Sequence, residues 1–255
     1  MKIKKFLLGC ALVLTAFTAL TACGGTGNAK TIKDLAYNKT KQEQSVYINE
    51  DGAYVPYIVV TDDYKGNTLL LRKNVDYTYR YNKAGIKYAS YYGDSDVDKY
   101  LDTNIYQKYE GPVKANIVNT EVEIETKNAI ETHEEETETI SRKVFLLSMY
   151  ELGGETVYVA AEEGMKLDYF KNDKSRIAYN SAGTAKQYFT RSAAYQERNN
   201  IFGVDTEGVI GIGGISGMNG AYEGGLRPAF CMKSDTAIET RSDIIEGEEV
   251  YVIKP

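Results

Sequence analysis

The chain has 255 residues, with 36 acidic and 30 basic side chains and a formal charge of −6 at pH 7. This acidic balance argues against nucleic acid and against anionic lipid surfaces as main partners, because both repel negative charge. Apart from the N-terminal run described next, no segment is long and apolar enough to predict a membrane span.

The first 22 residues predict a secretory signal peptide. Three of the first five residues are lysines, and a 15-residue apolar run, 6–20, follows them. That run is shorter than the ~20 residues that a spanning helix needs. The tetrapeptide LTAC, ending at Cys23, resembles the lipobox of bacterial lipoproteins, in which the cysteine carries the lipid. We therefore expect lipidation of Cys23 and a membrane-anchored location on the extracytoplasmic face; ordinary secretion with a chance cysteine is the alternative.

Cysteine usage agrees with export. Cleavage before Cys23 leaves 255 − 22 = 233 residues and removes three lysines, so the formal charge becomes about −9. Cys10 leaves with the signal and Cys23 carries lipid, so Cys231 remains alone and no internal disulfide can form. The domain must be held together by its core, and ~200 ordered residues are enough for that.

Composition divides the rest of the chain into a tether and one domain. Residues 23–45 are small and polar and predict a tether that lifts the domain off the membrane. Residues 46–255 predict a single globular domain. An acidic insertion near 119–142 interrupts it.

The first elements of that domain predict a hairpin and a helix. Residues 54–61 and 68–72 are rich in β-formers, and the turn-forming sequence DDYKGN lies between them. Ser95 is a good N-cap, with an acid three residues on, and apolar residues then recur at helical spacing as far as Tyr109. Gly111-Pro112 ends this helix.

The later elements are shorter. Apolar and polar residues alternate over 118–126, and the segment 140–148 ends in an apolar run typical of a buried strand. We further predict the start of a short helix at 149–152, a charged helix or turn at 169–179 and a strand at 187–192. The predicted fold class is therefore α+β: a compact single domain of short antiparallel strands, one or two helices and a loop-rich half.

Several short motifs occur in a fixed order along this domain. They are LLLRKN (69–74), YYGDSDVDKYL (91–101), VFLLSMYELG (144–153), YFTRSAAY (188–195) and GGLRPAF (224–230). The ordered set resembles a bacterial family of unknown function, DUF6273, which is common in exported proteins, and the resemblance covers about residues 54–232. The chain departs from the family pattern because it has no tryptophan; Tyr92, Tyr100 and Phe189 stand at aromatic positions.

The arginine motifs near the end more loosely resemble the formylglycine-generating-enzyme and C-type-lectin-like fold. That resemblance implies a loop-rich half that commonly forms a binding surface, and it implies no particular chemistry. Arg191 and Arg227 are the recurring arginines of the family resemblance. We expect both to be structural, each tying carbonyls or a carboxylate together through its five donors.

Cys231 raises the question of an active thiol. A nucleophilic cysteine needs a lowered pKa and usually a base nearby, and the one histidine, His133, lies far away in the acidic insertion. A small apolar residue of the last core strand is the preferred interpretation. We expect no catalytic residue.

We expect neither metal nor cofactor. Asp94, Asp96 and Asp98 suggest a calcium loop, but Lys99 stands where an EF-hand loop needs glycine and Ile105 stands at its twelfth position. Helix capping already accounts for Asp98. The glycine-rich run 208–220 lacks the βαβ context of a dinucleotide loop.

Tyrosine is unusually abundant, with 22 residues. A tyrosine offers a rigid apolar face with a polar tip, which suits sugar or protein recognition, although such rings also fill cores. We expect a binding surface formed by the tyrosine clusters and the glycine-rich region 203–225. The candidate residues are Tyr79, Tyr81, Tyr91, Tyr92, Asn199, Asn219 and Tyr222.

The sequence thus predicts a non-catalytic, lipid-anchored domain that binds a surface glycan, a cell-wall component or a protein. Its other expected partner is the membrane, through the lipid on Cys23. A wall-modifying enzyme that uses paired carboxylates, and a purely structural lipoprotein, are the alternatives.

Overall fold

The computed structural model describes residues 29–83, 85–155, 161–194, 200–211 and 223–255. Within these ranges no helix has the length and apolar character needed to cross a bilayer. The predicted signal peptide and Cys23 lie outside the described residues, as do Asn199, Asn219 and Tyr222.

Strands are the main regular structure of the described chain, at 41%, against 18% helix. In chain order the strands are β1 (Ser45–Glu50), β2 (Ala53–Tyr64), β3 (Asn67–Arg72), β4 (Tyr77–Arg80), β5 (Thr120–Glu125), β6 (Thr137–Arg142), β7 (Ala178–Tyr179), β8 (Ala185–Lys186), β9 (Tyr188–Ala193), β10 (Ile201–Val204), β11 (Ile210–Gly211), β12 (Glu223–Leu226), β13 (Ala229–Met232), β14 (Ile238–Ile245) and β15 (Glu248–Ile253).

The helices are short. They are a 3-10 turn (Ile32–Leu35), α1 (Tyr37–Thr40), α2 (Asp96–Tyr100), α3 (Gly111–Asn116), α4 (Lys127–Thr132) and α5 (Asp173–Arg176). A π-helical turn (Leu101–Ile105) and a 3-10 turn (Tyr106–Lys108) continue α2. The described residues therefore contain more helices than the one or two predicted, but the mixed α+β class is confirmed.

Two larger sheets form the body of the domain. Six strands pair in the order β13-β3-β2-β1-β15-β14, and five pair in the order β11-β10-β9-β12-β4. Most pairs are antiparallel; β1 with β15 and β9 with β12 are parallel. Buried residues of both sheets belong to one continuous hydrophobic core.

The predicted hairpin forms as β2 and β3. Lys65 and Gly66, in the turn between them, both have positive φ angles, of 52° and 78°. This combination is typical of type I′ turns, whose twist matches that of the flanking strands. Leu69 and Leu70 on β3 are fully buried.

The predicted helix start is confirmed at α2. The Ser95 hydroxyl accepts a hydrogen bond from the backbone N–H of Asp98 at 3.1 Å. Val97, Leu101 and Ile105 recur at helical spacing and are fully buried. The helical run ends at Lys108, before Gly111-Pro112 as predicted.

The acidic insertion folds as a hairpin closed by a helix. β5 pairs with β6 from Thr120 opposite Arg142 to Glu125 opposite Thr137, and α4 lies between the two strands. Alternate residues of β5, Val122 and Ile124, are fully buried. The insertion is thus part of the core, although its outer face is charged.

The predicted tether needs a correction. Ile32, Leu35 and Ala36 lie within 23–45, yet they are 0–2% exposed. The backbone N–H of Ile32 donates to the carbonyl of Thr236 at 2.9 Å. From Lys30 onward the chain therefore packs on the domain, because three apolar residues spaced within one helical turn bury their side chains together.

Two smaller predictions were also wrong. The strand predicted over 140–148 ends at Arg142; beyond it Phe145 makes one isolated bridge, to Ala229. Residues 149–152 form a turn and no helix. Residues 144–148 are buried by packing, which gives the same run of buried residues as a strand although no continuous ladder forms.

Candidate ligand-binding site

The structure separates the four predicted tyrosines that lie among the described residues. Tyr81 and Tyr92 are buried at 0% and 1% exposure, so the prediction that they bind a ligand was wrong. Their rings lie 6.1 Å apart in the core. The Tyr81 hydroxyl donates to the carbonyl of Arg191 and the Tyr92 hydroxyl accepts from the N–H of Leu146, which satisfies both buried polar tips.

Tyr79 and Tyr91 are half-buried. The Tyr79 ring stacks on Tyr100 with centroids 4.2 Å apart and an interplanar angle of 14°. The Tyr91 hydroxyl donates to Glu138 at 2.7 Å. Each ring is therefore partly committed to neighbours of the same chain, and neither lines the cleft described below.

Both family arginines are buried and bound to the chain itself. The Nε of Arg191 donates to the carbonyl of Glu123 at 2.9 Å, and its two terminal nitrogens form a fork with the Glu151 carboxylate. The Nε of Arg227 donates to the carbonyl of Arg72 at 3.0 Å, and its guanidinium lies 5.4 Å from the centre of the Tyr188 ring. These are the contacts expected of structural arginines.

The thiol of Cys231 is fully enclosed. Cys231 lies on β13, opposite Leu69 of β3, with 0% exposure. Burial raises the pKa of this thiol to about 12. A reactive thiol needs the opposite shift and an open approach, so the geometry favours the packing role.

Two of the three aspartates near α2 are held by arginines. Arg142 donates to both carboxylate oxygens of Asp98, at distances from 2.7 to 3.0 Å, and Arg80 donates to Asp96 at 2.9 Å. Among the described residues, no group of three or more histidine, cysteine, aspartate or glutamate side chains is placed to hold a metal.

A cleft of about 690 Å³ opens beside β4, β8 and β12. This volume falls within the range of pockets that bind small molecules. Neutral hydrogen-bonding side chains are the largest group in its lining, with five of the twelve residues. They are Thr78, Asn180, Ser181, Gln187 and Thr206.

Two glycines of β12 form part of the cleft wall. A Cβ on Gly224 would lie 2.4 Å from the ring of Phe189, and one on Gly225 would lie 2.2 Å from the carbonyl oxygen of Gln187. Because these distances are far below van der Waals contact, only glycine lets β12 pack this closely on β9 and on Gln187. The glycines therefore fix the shape of the cleft.

Three charged side chains also line the cleft: Asp76, Lys186 and Glu223. Asp76 accepts from the Arg72 guanidinium at 2.8 Å and from the backbone N–H of Ser181 at 2.7 Å. Burial opposes ionisation of Asp76, but these two donors outweigh it and hold its pKa below the ordinary value. Asp76 thus stays ionised and fixes the turn that carries Asn180 and Ser181.

An exposed aromatic ring stands next to the cleft. Tyr179 is 49% exposed, and its backbone carbonyl accepts from the N–H of Val75, a lining residue, at 2.9 Å. Tyr179 pairs with Ala185 across β7 and β8, and Ala185 lines the cleft. Residues paired across antiparallel strands project from the same face, so the ring of Tyr179 lies at the rim.

A second polar cluster is sealed in the interior. Glu163 accepts from the Ser192 hydroxyl and from the backbone N–H of Glu125 at 3.2 Å. Burial is the main reason that the pKa of Glu163 rises to about 7, although Arg191 and these donors oppose the shift. Glu163 is 1% exposed and does not line the cleft.

The predicted region 203–225 contributes Thr206 and residues 223–225 to the cleft, but sequence reasoning missed the other lining residues and the buried carboxylates. The lining residues come from four separate parts of the chain, and each part alone is an ordinary polar turn or strand edge. The paired glycines of the GGLRP motif were a further signal, since adjacent glycines in a strand indicate a close approach.

The family is shown by a model of the domain of unknown function DUF6273, which matches residues 65–234. The chain belongs to this family. No curated protein and no solved structure matches the chain.

Proposed function

We propose that this chain is a lipid-anchored, extracytoplasmic binding protein and that the cleft beside β4, β8 and β12 holds a surface glycan. The observation that carries the proposal is the cleft lining, in which five of the twelve residues have neutral hydroxyl or amide side chains and only two have apolar ones. Such groups donate and accept hydrogen bonds with sugar hydroxyls at neutral pH.

The rim supports a glycan over an apolar ligand. The exposed ring of Tyr179 offers a flat apolar face with a polar tip next to the polar wall. A sugar has the same division, because its ring carbons form an apolar face and its hydroxyls form a polar edge. A lipid or an apolar peptide would leave the lining groups without partners, which is costly.

Binding explains the cleft better than hydrolysis does. Glycoside hydrolysis needs one carboxyl group with a raised pKa to act as the acid. Asp76 has a lowered pKa and is held by Arg72 and Ser181, while Glu163, whose pKa is raised, is sealed away from solvent. Hydrolysis in this cleft would therefore need Glu223, the other carboxylate that lines it, as the general acid.

Export and anchoring rest on the N-terminal sequence, with lipid on Cys23. The lectin-like character is part of the same proposal, and it rests on the loop-rich half of the chain, which contributes Thr206 and residues 223–225 to the cleft. In this arrangement a β-scaffold presents the ligand site on connecting segments.

The test uses the full chain, extracted from membranes in detergent. It is screened on a glycan array, and the best ligand is titrated by calorimetry against Asn180→Ala and Thr206→Ala. Each variant removes lining hydrogen bonds, so we expect at least about tenfold weaker binding. Asn104→Ala, an exposed position outside the cleft, is the matched control and should bind as the wild type does.

Equal binding by the cleft variants and the control would refute the cleft as the site. Release of shorter sugars from a bound glycan, abolished by Glu223→Gln, would replace binding with hydrolysis. Anchoring is tested separately: the Cys23→Ser chain should lose both its acyl label and its membrane fraction.

A further inference from the structure

The packed part of the chain begins much closer to Cys23 than the sequence predicts. The backbone N–H of Ile238 donates to the carbonyl of Lys30 at 3.1 Å, and Thr31 forms a bridge with Ala237. Ile32 follows at once and is fully buried. The domain therefore holds the chain from Lys30 onward.

Seven residue steps separate Cys23 from Lys30. A fully extended chain spans about 3.5 Å per residue, so the reach is at most about 25 Å. A domain of about 230 residues has a radius of gyration of about 17 Å and a diameter that exceeds this reach. A lipid on Cys23 therefore keeps Lys30 within about 25 Å of the membrane, and the opposite side of the domain cannot turn toward the bilayer.

The surface around Lys30 carries four exposed lysines, which we call the lysine face: Lys30, Lys33, Lys233 and Lys254. Hydrogen bonds of the backbone bring them together. The N–H of Lys33 donates to Ser234, in the turn that starts at Lys233, and the N–H of Lys254 donates to Ala237, which pairs with Thr31.

Two acidic residues share the surface. The carboxylate of Asp34 accepts from the backbone N–H groups of Lys30 and Thr31 at 2.9 Å, so it serves the local turn, and Asp235 is exposed. The lysines outnumber these acids. The chain as a whole carries a formal charge of −6, so the lysine face is a local exception on an acidic protein.

We propose that the lysine face rests on the headgroups of the membrane that holds the anchor, and that its lysines contact anionic lipid phosphates. This inference rests on the lipidation of Cys23 in the proposed function. No residue of the lysine face lines the glycan cleft. The two lie toward opposite ends of β3, because Thr68 contacts Ser234 beside Lys233 and Arg72 contacts Asp76 of the cleft, so the docked domain keeps the cleft free for ligand. The lipid and the lysines together supply the two signals that stable membrane attachment requires.

The first experiment measures orientation. The full, acylated chain is reconstituted in phosphatidylcholine vesicles containing phosphatidylglycerol, with one added cysteine at Asp235→Cys or at Ser181→Cys. Both positions are exposed, and Ser181 lies in the cleft. Cys231 is buried and gives no background labelling.

Labelling by a bulky maleimide is compared between vesicles and detergent. We expect vesicles to slow labelling of Asp235→Cys at least tenfold, as an order of magnitude for steric occlusion by the bilayer, and to leave Ser181→Cys unchanged. Equal labelling of both cysteines on vesicles that retain the protein would overturn the docked orientation and leave the anchor intact. Failure of the wild-type chain to float with the vesicles would overturn both.

The second experiment tests the lysines. In the quadruple Lys→Gln variant of the lysine face, the maleimide should label Asp235→Cys on vesicles at least about threefold faster than in the chain with its lysines. Vesicles of phosphatidylcholine alone should raise the labelling rate of the unchanged lysine face in the same way. The matched control changes four exposed lysines elsewhere, Lys83, Lys166, Lys171 and Lys174. Protection that is identical in the two quadruple variants would refute the contact with anionic lipid.

Discussion

Arg191 and Glu151 form a two-pronged ion pair in the interior, with Nη1 to Oε2 at 2.6 Å and Nη2 to Oε1 at 2.9 Å. Both side chains are 0% exposed. The Tyr64 hydroxyl also donates to Glu151, and the carbonyls of Glu123, Leu146 and Glu163 accept from Arg191. One arginine on β9 thus contacts β5 through Glu123, the segment 146–151 through Leu146 and Glu151, and residue 163 through its carbonyl.

Arg191→Met should destabilise the fold strongly, because it leaves the Glu151 carboxylate buried without its cation. Breaking such a pair costs about 3–5 kcal/mol in the free energy of unfolding. Replacing both partners, with Arg191→Met and Glu151→Leu, should recover part of that loss. Urea denaturation measures the two values. Arg241→Gln, which removes an exposed ion pair with Asp243, is the control and should change stability little.

Glu163 should make stability fall as the pH rises. Its pKa is about 7 in the folded protein and near the ordinary 4.5 when unfolded. Below pH 4.5 both states are protonated; between the two values the unfolded state releases its proton first, so unfolding is favoured. Above pH 7 the loss is complete, at about 3 kcal/mol for a difference of this size.

Glu163→Gln removes this dependence and keeps the geometry. Its carbonyl can accept from the N–H of Glu125, and its amide can donate to the Ser192 hydroxyl. Glu151, Arg191 and Glu125 remain around it in both proteins. From pH 5 to pH 8 the wild type should lose about 2–3 kcal/mol more than the variant in urea denaturation. Glu246→Gln, at an exposed position, is the control and should keep the wild-type dependence of unfolding free energy on pH. If Glu163→Gln also kept the wild-type dependence, Glu163 would be ionised throughout this pH range.

Cys231 should be inert in the native state. Burial and a pKa near 12 leave almost no accessible thiolate at pH 8. In the chain carrying Cys10→Ser and Cys23→Ser, a thiol reagent should react only after denaturation. Cys231→Ser should lower the free energy of unfolding by about 1–3 kcal/mol, since it buries a hydroxyl among apolar groups. Fast native labelling would contradict the packing role.

Gly225→Ala should both destabilise the domain and distort the cleft. The added Cβ would overlap the carbonyl oxygen of Gln187 and a methyl carbon of Val75, so β12 has to move. Overpacking of this kind costs about 1–3 kcal/mol. Gly66→Ala is the control: it has φ +78° but nothing within 4 Å of the new Cβ. In calorimetric titration with the glycan, affinity should fall for Gly225→Ala and stay at the wild-type value for Gly66→Ala.

Local signals in the sequence predicted local structure well. The Ser95 cap, the β2–β3 hairpin and the alternating strand at β5 each depend on residues near in sequence, and each formed. The buried tyrosines were predicted less well, because a tyrosine is amphipathic and its position in the sequence does not show whether its ring lies in the core or at the surface. Tyr79 and Tyr81 lie two residues apart on or beside one strand and still differ in burial.

Long-range pairing could not be predicted in the same way. Glu151 and Glu163 look like surface acids until Arg191 is brought against them from 40 and 28 residues away. The cleft likewise depends on β4 meeting β12 across more than a hundred residues. Such contacts are fixed by topology, which local periodicity does not encode.

The position of β15 between β1 and β14 bears on how the protein is made. The first strand of the domain has no partner on that side until residues 248–253 have been synthesised. A nascent chain therefore lacks its closing strand until those residues have been made. In the export that we propose, this order of synthesis would delay cooperative folding and would keep most of the polypeptide unfolded while it crosses the membrane.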